Sequence, residues 1–361
     1  MNLIDLLEYN PFEFDIKKKE SVFNLLLNKL TIHHYNNCKE YKKIIDASSF
    51  NIQSEIDKKE IPFLPVRLFK LIDLKSIKNE DVVKTMTSSG TTGQAVSKIY
   101  LDKETALNQT KVLTKIVSSL IGKHRMPMLI IDSESVIRDR KLFSARGAGI
   151  IGFSLFASKK LFVLNEKMQI NIEALKIFMD QNKGQRILIF GFTFMIWQHF
   201  YKELVEKNIK IDLSNSILLH GGGWKKLVNE YITNEQFKIK LHEQTQLSLG
   251  NIHDYYGMVE QTGSIYLECE CGYLHAPIFS DIIIRDPINF NVLNFGEKGI
   301  IQVLSLLPKS YPGHSLLTED EGMIIGEDDC KCGRKGKYFR VLGRLKNAEI
   351  RGCSDTYENR I

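Results

Sequence analysis

A chain of 361 residues with 43% hydrophobic and 25% charged side chains has the composition of a folded globular protein, which excludes a disordered or collagen-like one. At roughly 100–200 residues per domain, the length admits two or three units or one large α/β body. The formal charge of +6 is thin over this length; it suits an anionic ligand and lacks the dense basic stripe of a nucleic-acid binder, and no apolar run reaches the roughly 18 residues of a membrane span.

The first residues, MNLIDLLEYNPFEFD, carry no basic stretch and no cleavage site, so a cytoplasmic protein is expected. Residues 1–80 read as a helical region. Leu3, Ile4, Leu6 and Leu7, then Phe23, Leu25, Leu26, Leu27 and Leu30, recur at helical spacing, and Pro62 and Pro65 interrupt it. From Val82 onward, short apolar runs (128–131, 187–191, 217–220, 252–256) alternate with amphipathic stretches (103–121, 170–181, 194–207, 225–228). That alternation predicts an α/β core over 81–264 with a largely parallel sheet, which the resemblance described below makes the nucleotide-binding part. Residues 265–342 change to closely spaced strands (282–284, 299–306, 322–325, 338–342) between Gly, Pro and Asp turns, a β-rich subdomain. Residues 343–361 are expected to be a C-terminal tail carrying Cys353, hinge-like by the resemblance described below.

Six cysteines stand at 38, 269, 271, 330, 332 and 353. Four make two CxCG turns, Cys269-Glu270-Cys271-Gly272 and Cys330-Lys331-Cys332-Gly333. In a chain without an export signal, close cysteine pairs read as metal ligands rather than disulfides. Two such turns brought together offer the four-sulfur tetrahedron that Zn2+ prefers, with His275 able to replace one sulfur. Four protein ligands leave no open position, so the metal is expected to be structural. Cys38 carries no signal. The segment Thr87-Ser88-Ser89-Gly90-Thr91-Thr92-Gly93 is the sharpest local pattern: its glycines let backbone N–H groups curl toward an anion and its hydroxyls add donors. It is not a GxxxxGK[ST] loop.

TSSGTTG resembles the ATP-phosphate loop of the adenylate-forming enzymes, and further motifs follow in that family's order. Gly221-Gly222-Gly223 is similar to the turn that meets adenine. Tyr255-Tyr256-Gly257-Met258-Val259-Glu260 resembles the motif in which an aromatic residue stacks on adenine and a glutamate reaches Mg2+. Thr318-Glu319-Asp320-Glu321-Gly322 resembles T-G-D-x-G, whose aspartate holds the ribose hydroxyls, and Gly343-Arg344 resembles the hinge whose arginine contacts the nucleotide. A narrower likeness runs through Phe63-Leu64-Pro65-Val66, His220-Gly221-Gly222-Gly223-Trp224-Lys225 and 349–356: these resemble the LuxE-type acyl-protein synthetases of bacterial luminescence operons, while the CxCG turns resemble the phenylacetate–CoA ligase branch. The resemblance implies an adenylate-forming N-terminal body without the usual C-terminal domain. It implies ATP and Mg2+ as cofactors, activation of a fatty acid as acyl-AMP, and transfer to Cys353 as a thioester for a partner acyl reductase or acyltransferase. Ser88 to Gly93, Gly222, Gly223, Tyr255, Tyr256, Gly257, Asp320 and Arg344 would hold the nucleotide, with Glu260 on the metal. An acyl- or aryl-CoA ligase and a non-catalytic nucleotide-binding subunit are the alternatives.

The chain also departs from the wider pattern. Val96 stands where most relatives have a lysine after the loop, Glu319 replaces the middle glycine of T-G-D, and Asn347 replaces the hinge aspartate. His220, Phe190, Phe192, Phe194 and Trp197 are expected to be packed core, and Trp224 either core or an acyl-pocket wall.

Overall fold

The structure is a computed structural model, and it describes residues 2–48, 50–52, 56–88, 96–138, 145–224 and 232–345. The N-terminal region carries the helices Leu3–Leu6, Ile16–Asn37 and Lys39–Asp46. The helix Ile16–Asn37 starts where the Asp15 carboxylate accepts from the Lys18 amide at 2.9 Å, and it buries Lys19, Val22, Phe23, Leu27, Thr31 and His34 along one stripe. It ends where Cys38 turns extended, and the helix Lys39–Asp46 follows. Beyond the prolines, strand β1 (Leu64–Pro65) is short. Strands β2 (Lys84–Thr87) and β3 (Lys98–Leu101) form an antiparallel hairpin, and the helix Lys103–Ile121 begins at Asp102, whose side chain caps the Thr105 amide at 2.7 Å.

The next strands are β4 (Met126–Ser133), β5 (Ala157–Leu164), β6 (Ile187–Phe192), β7 (Ser216–Gly221) and β8 (Ile252–Tyr256). They pair in parallel in the order β5-β4-β6-β7-β8. Every residue of β4, β6 and β7 is buried, which is why these strands read as unbroken apolar runs rather than alternating ones. Helices Ile172–Gln181 and Asn234–Thr245 lie between them in sequence, both capped by side chains, Asn171 on the first and Thr233 on the second. The stretch predicted as helix over 194–207 is helical but widens to a π-turn at Ile196–Tyr201. The helix expected over 225–228 lies outside the described residues.

The last strands are β9 (Tyr266–Glu268), β10 (Leu274–His275), β11 (Ser280–Arg285), β12 (Gly299–Ser305), β13 (Ser315–Glu327) and β14 (Lys337–Arg344). Their order is β11-β12-β13-β14-β10-β9, antiparallel throughout, and β1 joins β13 in parallel.

These elements sort into two compact units. One comprises residues up to 88, 96–120 and 257–345, so the N-terminal helices belong with the β-rich segment; the other comprises 121–138, 145–224 and 232–256. The boundary falls between Tyr256 and Gly257.

The first unit is rich in buried polar groups. Asp281 on β11 is fully buried and meets three buried lysines from separate segments: Lys58 at 2.8 Å, Lys19 at 3.5 Å and Lys337 at 3.5 Å. Burial alone would raise the Asp281 carboxyl, but Lys19, Lys337 and Lys58 together hold it well below the usual carboxylate range. Among the lysines, burial drives Lys19 down to about 8.

Candidate functional site

The phosphate-loop segment is the connection of the β2–β3 hairpin. Thr87 lies opposite Lys98, the Ser88 amide donates to Ser97 O at 3.1 Å, and the Ser97 amide donates to Ser88 Oγ at 2.9 Å. Ser88 is thereby tied to the base of the hairpin. Ser89, Gly90, Thr91, Thr92 and Gly93 lie outside the described residues. Val96 precedes the hairpin's return strand, and Lys98 is its first residue.

In the parallel-sheet unit, the glycine turn follows β7 directly. Gly222 has φ +82°, a left-handed conformation that a side chain would strain. A Cβ on Gly221 would lie 2.7 Å from the Tyr255 ring, so glycine there is what allows Tyr255 to pack. Tyr255 sits on Phe153, with ring centroids 5.1 Å apart, and stacks with Phe190 at 6.4 Å. Its neighbour Tyr256, the last residue of β8, projects to the other face of the strand. His220 is buried as expected and shares a 3.0 Å hydrogen bond with Thr193 Oγ1. Burial pushes its imidazole down to about 3, so it is neutral. Phe190, Phe192, Phe194 and Trp197 are all buried, and Trp224 packs edge-on against Trp197 and Phe237. That is core packing for the four expected core residues.

In the other unit, Glu260 lies on the one-turn helix Val259–Gln261 and is buried. Its turn is held rigidly: Tyr311 Oη donates to Glu260 O at 2.8 Å, and the Gln261 amide group donates to Val303 O and Gly313 O at 3.2 and 2.8 Å. Asp320 on β13 and Arg344 on β14 are register partners, with Arg344 Nε 3.4 Å from Asp320 Oδ1. The structure therefore brings together two residues that the sequence separates by 24 positions. It also adds two that the motif reading did not use as ligand-site residues. Glu319 lies 3.6 Å from Arg344 through its other oxygen, and Arg67 donates to Glu319 at 2.6 Å. Arg67 had no motif around it; its place just after Phe63-Leu64-Pro65-Val66 is the only signal the chain offered. Cys353 lies outside the described residues.

The cysteine turns do meet. The Cys269 and Cys330 sulfurs are 3.9 Å apart, and Cys332 Sγ is 3.5 Å from His275 Nε2. The donor atoms of Cys269, His275, Cys330 and Cys332 all lie within 4.8 Å of one another. Cys271 packs against the same cluster, with burial raising its thiol to about 11 and Cys269 and Cys330 beside it adding to the shift. A disulfide needs sulfurs about 2 Å apart. A tetrahedral zinc with bonds near 2.3 Å instead sets its sulfurs roughly 3.8 Å apart, close to the observed separation. Burial also pushes His275 down to about 3, leaving a neutral imidazole able to ligate. The donor set fits zinc, with His275 completing the tightest quartet and Cys271 beside it. The grip extends to the N-terminal segment: the Lys335 amide donates to Phe12 O at 2.9 Å, and the Phe12 ring meets His275 edge-on.

No helix among the described residues is long and apolar enough to cross a membrane. The chain's architecture is that of adenylate-forming ligases: an open-conformation structure of 2-hydroxyisobutyryl-CoA ligase superposes with a TM-score of 0.70 at 12% identity, covering 95% of this chain and 79% of that one. At that identity the likeness shows the fold. The sequence comparison goes further, because the family described as acyl-protein synthetase, LuxE, matches residues 2–361, and the chain belongs to that family of ligases. It is similar to the long-chain-fatty-acid–luciferin-component ligase of Aliivibrio fischeri, 24% identical over 360 residues and covering 97% of this chain and 91% of that protein. The ligase of the same name from Vibrio harveyi is 23% identical over 353 residues, covering 95% and 89%.

Proposed function

We propose that this ligase activates a long-chain fatty acid with ATP, takes the acyl group onto Cys353 as a thioester, and presents it to a partner acyl reductase or acyltransferase. The observation that carries the reading is the match to acyl-protein synthetases along residues 2–361, with the nucleotide motifs in order within it.

The fatty carboxylate attacks the α-phosphorus of ATP, the bond to the β,γ-unit breaks, and pyrophosphate leaves. Little covalent chemistry falls to the protein, so its residues act by positioning and charge. Ser88 to Gly93 hold phosphate oxygens, Tyr256 and Gly222 to Gly223 flank the adenine, Asp320 takes the ribose hydroxyls, and Arg344 touches the nucleotide. Glu260, on a turn fixed by Tyr311 and Gln261, would hold Mg2+, which when bound would supply positive charge to the leaving pyrophosphate. The acyl adenylate is a mixed anhydride. The Cys353 thiolate attacks its carbonyl carbon, AMP leaves, and the thioester remains; a free thiol with pKa about 8.5 already supplies a few per cent of thiolate near pH 7. Zinc on Cys269, His275, Cys330 and Cys332 is structural in this reading, tying the β9–β10 turn to the loop before β14.

The test is incubation of the protein with ATP, Mg2+ and radiolabelled myristate. Label should appear on the protein, be released by hydroxylamine, and be absent from Cys353→Ser, which still releases pyrophosphate. Label that stays off the protein and passes to added CoA would overturn the reading in favour of a CoA ligase.

A further inference from the structure

The glutamate that replaces the middle glycine of T-G-D is built into a charge relay. Between β12 and β13 the register runs from Ile300 opposite Glu321 to Gln302 opposite Leu317, so β13 spends two extra residues in this stretch. Thr318 Oγ1 closes the bulge by donating to Ile301 O at 2.7 Å and accepting from the Asp320 amide at 3.2 Å. Adjacent residues on a regular strand face opposite sides. The bulge removes that constraint, and both carboxylates reach the same guanidinium: Arg344 Nε is 3.4 Å from Asp320 Oδ1 and Arg344 Nη2 is 3.6 Å from Glu319 Oε2.

Glu319 then has a second cation. Strand β1 lies on β13 with Pro65 opposite Leu317, and the Val66 amide donates to Leu317 O at 2.9 Å. Two residues further on, Arg67 comes level with Glu319, and its Nε donates to Glu319 Oε1 at 2.6 Å. The Glu319 side chain is only 11% exposed, whereas Arg67 is 47% and Arg344 37% exposed. A largely buried carboxylate thus lies between two guanidiniums, next to a second carboxylate. Without Arg67, Glu319 would compete with Asp320 for Arg344 and repel it. With Arg67 in place, Glu319 is neutralised on one side and fixes Arg344 on the other.

We infer that Arg67 and Glu319 are positioning residues for the nucleotide: Glu319 holds Arg344 beside Asp320, and Arg67 anchors Glu319. The inference rests on the reading of Asp320 and Arg344 as nucleotide contacts. It assigns a function to the Phe63-Leu64-Pro65-Val66 segment, which is to carry Arg67 onto β13, and it explains why a glutamate stands where the wider superfamily has glycine.

ATP–pyrophosphate exchange with myristate as the carboxylic acid tests it, on the whole protein, with thermal unfolding measured alongside. Glu319→Gln, which keeps the shape, and Arg67→Ala should each raise KM for ATP about fivefold, as expected for one charge-assisted contact. Exchange kcat should stay within about twofold and the unfolding midpoint should hold. Arg67→Lys should recover much of the loss. The double variant should be no worse than Glu319→Gln alone, because the two residues act in series. An unchanged KM for ATP in both variants overturns the inference while leaving the nucleotide site standing. So does a fall in kcat together with a lower midpoint, or additive losses in the double variant. A wild-type protein that shows no exchange overturns the nucleotide reading and this inference with it.

Discussion

The two units are held together by different physics. The parallel-sheet unit buries whole strands, and its interior is mainly aliphatic and aromatic: Phe153 stacks on Phe190 at 4.3 Å, and Phe190 meets Phe192 edge-on, with the buried pair Arg146–Asp132 at 3.1 Å as an ionic exception. The β-rich unit buries ions and polar networks in its core: Asp281 among three lysines, Arg285 bridging Gln302, Phe290 O and Lys59 O, and His34 stacked on His314. Apolar burial is tolerant, because any side chain of similar volume gains nearly the same transfer free energy. Buried charge is not, because each group needs a particular partner at a particular distance. The β-rich unit should therefore be the brittle one, sensitive to metal, charge and pH.

Removing the metal is the sharpest way to break this contrast. Structural zinc sites in small domains contribute on the order of 10 kcal/mol. Purified protein should hold about one equivalent of zinc by elemental analysis. Chelation should lower the unfolding transition of the β-rich unit while leaving near-ultraviolet signals of the aromatic unit in place. Protein purified without chelator that holds essentially no zinc would remove the metal from the account.

Asp281→Asn comes next. It leaves Lys19, Lys58 and Lys337 buried around a neutral side chain, and removing one partner of such a cluster costs roughly 3–5 kcal/mol. Denaturant titration should show that loss, and it should ease at alkaline pH: burial has already brought Lys19 down to about 8 and lowered Lys337, so these lysines shed their charge early. A loss below about 1 kcal/mol would mean that the cluster is wet and the contrast overstated.

How much of this was legible in the sequence follows the same division. Strands such as 187–191 and 217–220 were readable because a strand buried on both faces is apolar at every position. The β-rich strands were found in outline from their turns, but their partners were not. Nothing in the spacing of Lys19, Lys58 and Lys337 announces that they share Asp281, since each sits in a locally ordinary polar context; the same holds for Arg67 and Glu319. The N-terminal helices read correctly as helices, yet periodicity shows which face is buried and not what it packs against. The cysteine pairs were legible because CxCG constrains chemistry locally. His275 had to be placed by the β9–β10 pairing, which sets it opposite Leu267, before it could be ranked against Cys271. The π-turn at Ile196–Tyr201 has no sequence signature of its own.

Acid is the gentlest probe, and it separates the units by count. In the β-rich unit His34 and His314 stack with ring centroids 4.8 Å apart, both fully enclosed. His34 is fixed from both ring nitrogens, by Ser76 Oγ at 2.7 Å and Pro308 O at 3.0 Å; since a carbonyl only accepts, its Nε2 carries the proton and its Nδ1 accepts from Ser76. Burial drives His34 well below the ordinary imidazole value, with His314 and His33 pushing the same way, and burial followed by His33 brings His314 down to about 3. The unfolded chain binds protons at these residues below about pH 6.5 and the folded chain does not, so stability is fully present above that pH and is lost as pH falls toward 3. By pH 5 the loss from His314 alone is about 2 kcal/mol, and His34 adds to it in the same direction. Among the described residues of the parallel-sheet unit, His220 is down to about 3 through burial, with Lys238 and His253 adding to it, and burial also lowers His199. Unfolding midpoints measured from pH 7 to 5 should therefore fall more steeply for signals of the β-rich unit. His314→Gln, whose amide can still donate to Thr31 Oγ1, should flatten that slope, while His220→Gln should flatten only the other. Equal slopes for the two units, unaltered by His314→Gln, would show that the stacked pair is not what makes the β-rich unit acid-sensitive.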